Sequence, residues 1–161
     1  MISINLLKLL QSYSTISSTI MTKITKIFLR LALAVSFLSA VADRLGYWDK
    51  KVSVWGTWDA FLVYTQLINP YIPSAMIETI AVVATVLEVI FAFFLLIGYK
   101  TAFFATLSGL LLLIFALSMT FSTGIKGAFD YSVFTAAAGA FALSLIDEKF
   151  LEVDALFSKK V

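Results

Sequence analysis

The chain has 161 residues, of which 61% are hydrophobic and 14% are charged. Soluble domains have roughly 45–50% apolar and about 25% charged residues, so this chain has too few polar side chains to cover a water-soluble globule. The net charge of +2, with no basic stripe, argues against nucleic-acid binding. The chain holds no Cys and no His, which excludes disulfides, thiol redox chemistry and imidazole metal ligation.

Residues 1–26 are predicted to form a cytoplasmic tail ahead of the membrane domain. Residues 1–20 are rich in Ser and Thr, and Met21 is followed by Lys23 and Lys26. Two interpretations stay open: a disordered tail, or a natural start at Met21 that gives a short basic leader. No small-residue cleavage motif precedes the first apolar stretch, which disfavours a cleaved signal peptide.

Four apolar stretches are each long enough to cross a bilayer, whose hydrocarbon core of about 30 Å needs about 20 helical residues. They cover residues 27–45, 75–97, 102–122 and 128–146. The links at residues 98–101 and 123–127 are short, which forces antiparallel neighbours, and Gly98 suits the position after a helix end. The sequence therefore predicts an all-α membrane protein, an up-down bundle of four transmembrane helices over residues 27–146.

The polar segment between the first two stretches holds all three Trp residues of the protein, Trp48, Trp55 and Trp58. Helical spacing after Trp58 predicts a short helix with Thr57 as its N-cap and a stop at Asn69. Trp side chains prefer the layer of lipid headgroups. We therefore expect an interfacial helix in the first outer loop, lying along the membrane surface or folded over the mouth of the bundle.

Basic residues predict the orientation, because cytoplasmic loops carry the excess of Lys and Arg. With the N-terminus inside, eight of the 12 basic residues lie at the cytoplasmic face and four at the outer face. Both termini are then cytoplasmic. The C-terminal tail, residues 147–161, alternates acidic and apolar residues and is expected to form a short amphipathic anchor at the inner surface.

Glu88 lies near the middle of the second stretch, where an unpaired charge costs about 2.5–3.5 kcal/mol on insertion scales. Arg30, about one turn inside the first stretch, is the predicted partner, in a bidentate ion pair. Two interpretations stay open: a ligand-binding or proton-relay pair, and a structural pair that fixes helix register.

A second group of polar residues is expected at the outer ends of the helices: Asp43, Arg44, Lys126, Asp130 and Tyr131. Opposite charges at one membrane depth favour cross-helix pairs. Two simpler explanations also apply, because Lys and Arg near helix ends extend to the headgroups and Asp130 suits a helix N-terminus. No phosphate loop, nucleophile motif or metal-ligand cluster occurs in the sequence. The sequence therefore indicates no catalytic residue, no metal and no intrinsic cofactor.

Short segments in all four stretches carry a resemblance to a known family. They are Arg30-Leu31, Ala42-Asp43-Arg44-Leu45-Gly46, Ala84-Thr85-Val86-Leu87-Glu88, Gly98-Tyr99-Lys100-Thr101, Ser108-Gly109-Leu110-Leu111-Leu112, Phe115-Ala116-Leu117-Ser118-Met119, Gly124-Ile125-Lys126 and Asp130-Tyr131-Ser132-Val133-Phe134. In their order and spacing the chain resembles the DoxX family of small bacterial and archaeal membrane proteins over residues 27–146. The resemblance implies a four-helix fold in the inner membrane of a prokaryote.

The resemblance also implies a role beside quinones, since the family takes its name from subunits of quinol oxidase and thiosulfate–quinone oxidoreductase systems. The leading hypothesis is an accessory subunit of a quinone-linked redox system, with a quinone headgroup near Arg30 and Glu88. Its partners would be the lipid bilayer and a redox subunit or further copies of the chain. The alternative is a non-catalytic lipid or small-molecule binder, or an assembly factor for other membrane proteins.

Overall fold

A computed structural model describes residues 2–157, and within that range α-helices are the only regular secondary structure. The helices are α1 (Ile2–Arg44), α2 (Trp58–Ile68), α3 (Ser74–Ile97), α4 (Thr101–Thr123), α5 (Ile125–Asp130), α6 (Val133–Ser144) and α7 (Val153–Phe157). Three segments are long and apolar enough to cross a membrane: Thr15–Arg44 of α1, α3 and α4. The apolar helix α6 has 12 residues and is shorter than these.

Helix α1 begins at Ile2, so it includes the segment predicted as a separate tail. The hydroxyl groups of Thr15, Thr19 and Thr22 each donate to the backbone carbonyl four residues earlier. Such bonds satisfy Ser and Thr side chains within a helix, which explains how a hydroxyl-rich segment continues into the first apolar stretch. The cytoplasmic location of these residues and a start at Met21 stay predictions.

The predicted link between the second and third stretches is confirmed. Gly98 ends α3 in the left-handed conformation, with φ of 67°. The rings of Phe94 and Phe104 stack across the link, with centroids 4.2 Å apart, so α3 and α4 form an antiparallel hairpin. A Cβ atom at Gly98 would lie 2.6 Å from Arg30 Nη2 and 2.8 Å from Glu152 Cα, so the close approach also requires glycine here.

The predicted single helix over residues 128–146 is wrong. Helix α5 ends at Asp130, Ser132 adopts a left-handed conformation with φ of 56°, and α6 begins at Val133. The amides of Tyr131 and Ser132 donate to the carbonyls of Gly127 and Phe129, which closes a turn between the two helices. The sequence has no Gly or Pro at residues 129–135 to mark this break.

The main apolar core is built from small and large residues of α1, α3, α4 and α6, and a smaller apolar cluster joins α4 to α5. Helix α1 packs on α3, and α4 packs on α6. Gly109 of α4 lets the ring of Phe141 approach so closely that a Cβ atom there would lie 2.7 Å from it. Close approach at small residues is the usual means of helix association in membranes.

The predicted helix α2 is confirmed, with Thr57 as its N-cap accepting from the amide of Ala60 and Asn69 after its last residue. Its buried residues Phe61 and Thr65 face the bundle, where α2 contacts α1, α3 and α4. We call this side the α2 end of the bundle. The opposite side, where the segment around Glu152 lies against Arg30 and Gly98, is the α7 end.

Candidate functional site

A partly enclosed cavity of about 300 Å³ lies at the α2 end of the bundle. Its lining comes from α1, α2, α3, α4 and α6 and from the segment before α2. Apolar side chains form most of the wall, among them Leu33, Phe37, Phe61, Ile80, Leu112 and Phe115. Apolar walls with a few placed polar groups are typical of small-molecule sites, and this volume is at the lower end of their range.

Arg44 and Glu88 are the charged residues in the wall of this cavity. Arg44 Nη2 lies 2.8 Å from Glu88 Oε2, and the two residues are only 2% and 3% exposed. The guanidinium also donates to Thr85 Oγ1 at 2.7 Å and to the carbonyl of Ala40 at 3.1 Å. Each charge therefore compensates the other inside the bundle.

The predicted ion pair between Arg30 and Glu88 is wrong. Arg30 lies roughly 21 Å from Arg44 along α1, at 1.5 Å per residue, and therefore at the α7 end. There its guanidinium donates to the carbonyls of Leu95 and Leu96, at 2.9 and 3.0 Å. The antiparallel packing of α1 on α3 brings Arg44 to the depth of Glu88 instead. Glu88 stays in the candidate site, and Arg30 does not.

Aromatic rings from α2 and the preceding segment cover the guanidinium of Arg44. Its carbon lies 4.0 Å from the centroid of Phe61 and 5.4 Å from that of Trp55. Trp55 in turn packs on Phe61 and Tyr64, with centroids 5.1 and 5.7 Å apart. Cation–aromatic contacts of this kind strengthen when they are shielded from water, so these rings hold the cation and form part of the cavity wall.

Two polar atoms in the lining have no hydrogen bond among the described residues. Glu88 Oε2 is close to Arg44 but accepts no bond of normal geometry, and Trp55 Nε1 donates none. Both residues line the cavity. Buried polar atoms are normally paired, and exceptions require an explanation.

Asp43 positions Trp55 from outside the cavity. Its carboxylate accepts bonds from the Ser53 hydroxyl and from the amides of Val54 and Trp55, the latter two at 3.0 and 2.9 Å. The segment before α2 is thereby fixed to the end of α1. Sequence reasoning selected Asp43 and Trp55 but did not connect them.

The predicted outer polar cluster does not assemble as one group. Asp43 and Arg44 are adjacent and buried, whereas Lys126 and Asp130 form an ion pair on α5 with side chains 85% and 58% exposed. Tyr131 contributes to the cavity wall. Of the three Trp residues, Trp55 lines the cavity, Trp58 packs on Phe61, and Trp48 donates to the carbonyl of Ser39 at 3.1 Å.

A second buried polar centre lies at the α7 end, and sequence reasoning missed it. Glu152 Oε1 lies 3.0 Å from Lys26 Nζ and 3.7 Å from Arg30 Nη1, and it accepts a bond from Thr101 Oγ1 at 2.7 Å. Residues 145–157, which we call the C-terminal strap, are thus held across this end. The segment predicted as a surface anchor therefore places a buried carboxylate against two cations.

No protein-family model, curated protein or solved structure matches the chain. Its class is therefore defined by its own geometry. Over residues 2–157 it is an all-helical protein with three helices able to cross a membrane and a cavity beside a buried ion pair.

Proposed function

We propose that this chain is a multi-pass integral membrane protein that binds one lipid-soluble small molecule in the cavity at the α2 end. The observation that carries the proposal is the buried pair of Arg44 and Glu88 in the wall of an otherwise apolar cavity. Charged residues are costly at membrane depth, and those that face a cavity there commonly belong to a substrate or proton pathway.

The outer surface of the helices supports a membrane environment. Large apolar side chains are exposed along α1, α3 and α4, among them Phe28, Val35, Val83, Phe93, Phe103 and Ile114. In water such a surface would cause aggregation, whereas lipid tails solvate it. We propose that α1, α3 and α4 each cross the bilayer with both termini in the cytoplasm, as the basic residues favour.

We further propose that α5 and α6 together make the fourth crossing. From Ile125 to Ser144 they would span about 30 Å at 1.5 Å per residue, which matches the hydrocarbon core. A break in a membrane helix is tolerated where it lines a cavity, and Tyr131, in the break, lines this one. The short helix α6 is thereby consistent with a four-helix bundle.

A quinone is the ligand class that we propose first. The residues that resemble the DoxX family imply a quinone-linked role in a prokaryotic inner membrane, and the cavity offers aromatic walls with a few hydrogen-bonding groups. Glu88 could exchange a proton with a bound headgroup, while the chain's own residues supply no electron carrier. We therefore propose an accessory subunit beside a redox partner, with the headgroup next to Arg44 and Glu88.

The test is a thermal-shift titration of the purified protein in mild detergent with a short-chain benzoquinone. Ligand at about 100 times its Kd should stabilise the folded protein by about 2.7 kcal/mol. Ala136→Leu places a larger side chain in the cavity wall and should abolish the shift, whereas Ala138→Leu, on the exposed side of α6, should keep it. No shift in the unmodified protein, or equal shifts in both variants, would contradict the proposal.

A further inference from the structure

We infer that the ligand of this cavity is a neutral amphiphile whose polar end is a hydroxyl group, donating to Glu88 Oε2 and accepting from Trp55 Nε1. The inference rests on the proposed function, because it requires the cavity to bind a small molecule. It adds the chemical class of the headgroup, which the cavity volume and its apolar wall leave open.

Glu88 Oε2 and Trp55 Nε1 have opposite hydrogen-bonding roles. A carboxylate oxygen only accepts and an indole N–H only donates. Neither atom has a hydrogen bond of normal geometry among the described residues, although Glu88 Oε2 also forms the ion pair with Arg44. Leaving such groups unsatisfied is unfavourable. A ligand that satisfies both must therefore supply one donor and one acceptor.

Glu88 and Trp55 both contact the Arg44 guanidinium and both line the cavity, which places their polar atoms in one part of its wall. The Arg44 guanidinium lies 2.8 Å from Glu88 Oε2, and its carbon lies 5.4 Å from the centroid of the Trp55 ring. Asp43 fixes the backbone amide of Trp55 at 2.9 Å. The donor and the acceptor are therefore held in place before any ligand enters.

The charges in the lining favour a neutral headgroup. Arg44 and Glu88 compensate each other, and the remaining lining residues carry no charge. A phosphate or carboxylate headgroup would bring a charge with no counter-charge in the wall, and an uncompensated buried charge is strongly unfavourable. The site is thus expected to reject phospholipids and fatty acids.

A hydroxyl group is the simplest headgroup that both donates and accepts, because one oxygen atom carries both roles. A ketone or an ether only accepts, so it would bond to Trp55 and leave Glu88 Oε2 unsatisfied. For ligands of the quinone class, the cavity would hold the hydroquinone more tightly than the oxidised quinone. The same geometry also admits phenols and other long-chain alcohols.

The experiment compares a 4-alkylphenol with its methyl ether, in which a methyl group replaces the donor hydrogen, by calorimetric titration in mild detergent. In the unmodified protein the phenol should bind about tenfold more tightly, the size expected for one hydrogen bond to a charged acceptor. Trp55→Phe removes the donor that both ligands use, so both should weaken while their ratio stays. The double variant Arg44→Met/Glu88→Leu removes the acceptor without leaving a lone charge, and the ratio should fall to about one.

The outcomes separate this inference from the proposed function. Equal affinity for phenol and ether in the unmodified protein would overturn the hydroxyl assignment and leave the binding cavity standing. Binding of the short-chain benzoquinone without binding of the phenol or the ether would also overturn the hydroxyl assignment and leave the binding cavity standing. If none of the three ligands binds, the proposed function fails and the inference fails with it. A phenol preference that changes in Trp55→Phe would also overturn the assigned roles.

Discussion

Arg44 ends α1 with its guanidinium inside the bundle, where it neutralises Glu88 and supports the aromatic cover of the cavity. Burying two charges is costly, and their attraction repays the cost only while both are present. The pair is thus required to keep the two charges inside the cavity wall, but it is not a large net source of folding stability.

The pair yields a prediction for stability. Arg44→Met leaves the Glu88 carboxylate buried without a counter-charge and should cost about 3–5 kcal/mol of unfolding free energy. Arg44→Met/Glu88→Leu replaces both charges with apolar groups and should be markedly more stable than Arg44→Met. Equilibrium unfolding in detergent micelles measures both. If the losses in Arg44→Met and in Glu88→Leu add up to the loss in the double variant, the two residues are not coupled.

The burial of Glu88 in an ion pair could be predicted from the sequence, but its partner could not. Depth in a span marks Glu88 as unusual, and the same criterion selects Arg30 because it lies further inside its stretch than Arg44. The partner is decided by how α1 aligns along α3, which depends on long-range packing. Glu152 was missed for the same reason, since a tail that folds back over Lys26 and Arg30 has no local signal.

At the scale of elements, local rules predicted some helix ends well and others poorly. Residue type alone identifies Thr57 as a helix cap and Gly98 as a residue that adopts the left-handed conformation. Helix α2 and the hairpin of α3 and α4 could therefore be predicted. The break before α6 could not, because the left-handed residue there is Ser132 rather than Gly or Asn. Its conformation is imposed by the surrounding packing.

The C-terminal strap gives a prediction at this scale. Glu152→Gln leaves Lys26 and Arg30 facing each other without a carboxylate, and breaking a buried pair costs about 3–5 kcal/mol. Amide exchange in residues 146–155, followed by mass spectrometry, should then accelerate by about tenfold or more.

A matched control for the strap is Asp130→Asn, which breaks an exposed ion pair on α5. Exposed pairs within a helix contribute only about 0.3–0.5 kcal/mol, so exchange in the strap should not change. If Glu152→Gln leaves that exchange as slow as in the unmodified protein, Glu152 does not hold the strap.

At the scale of the whole molecule, the proposed topology can be tested directly because the chain has no native Cys. Tyr71→Cys lies at the α2 end and Asp147→Cys at the α7 end, both at exposed positions. A membrane-impermeant maleimide should label Tyr71→Cys in intact cells and Asp147→Cys only after the membrane is opened. The reverse pattern would invert the orientation, and labelling of both in intact cells would contradict a membrane crossing between them.

We propose above that the cavity at the α2 end holds one lipid-soluble molecule. The most direct measurement is native mass spectrometry of the protein purified from its membrane in mild detergent, recording any bound mass. We expect a single adduct of a neutral isoprenoid or alkyl compound on the unmodified protein and on Ala138→Leu, and none on Ala136→Leu. An adduct that persists in Ala136→Leu, or phospholipid as the sole bound mass, would contradict binding of a neutral ligand in this cavity.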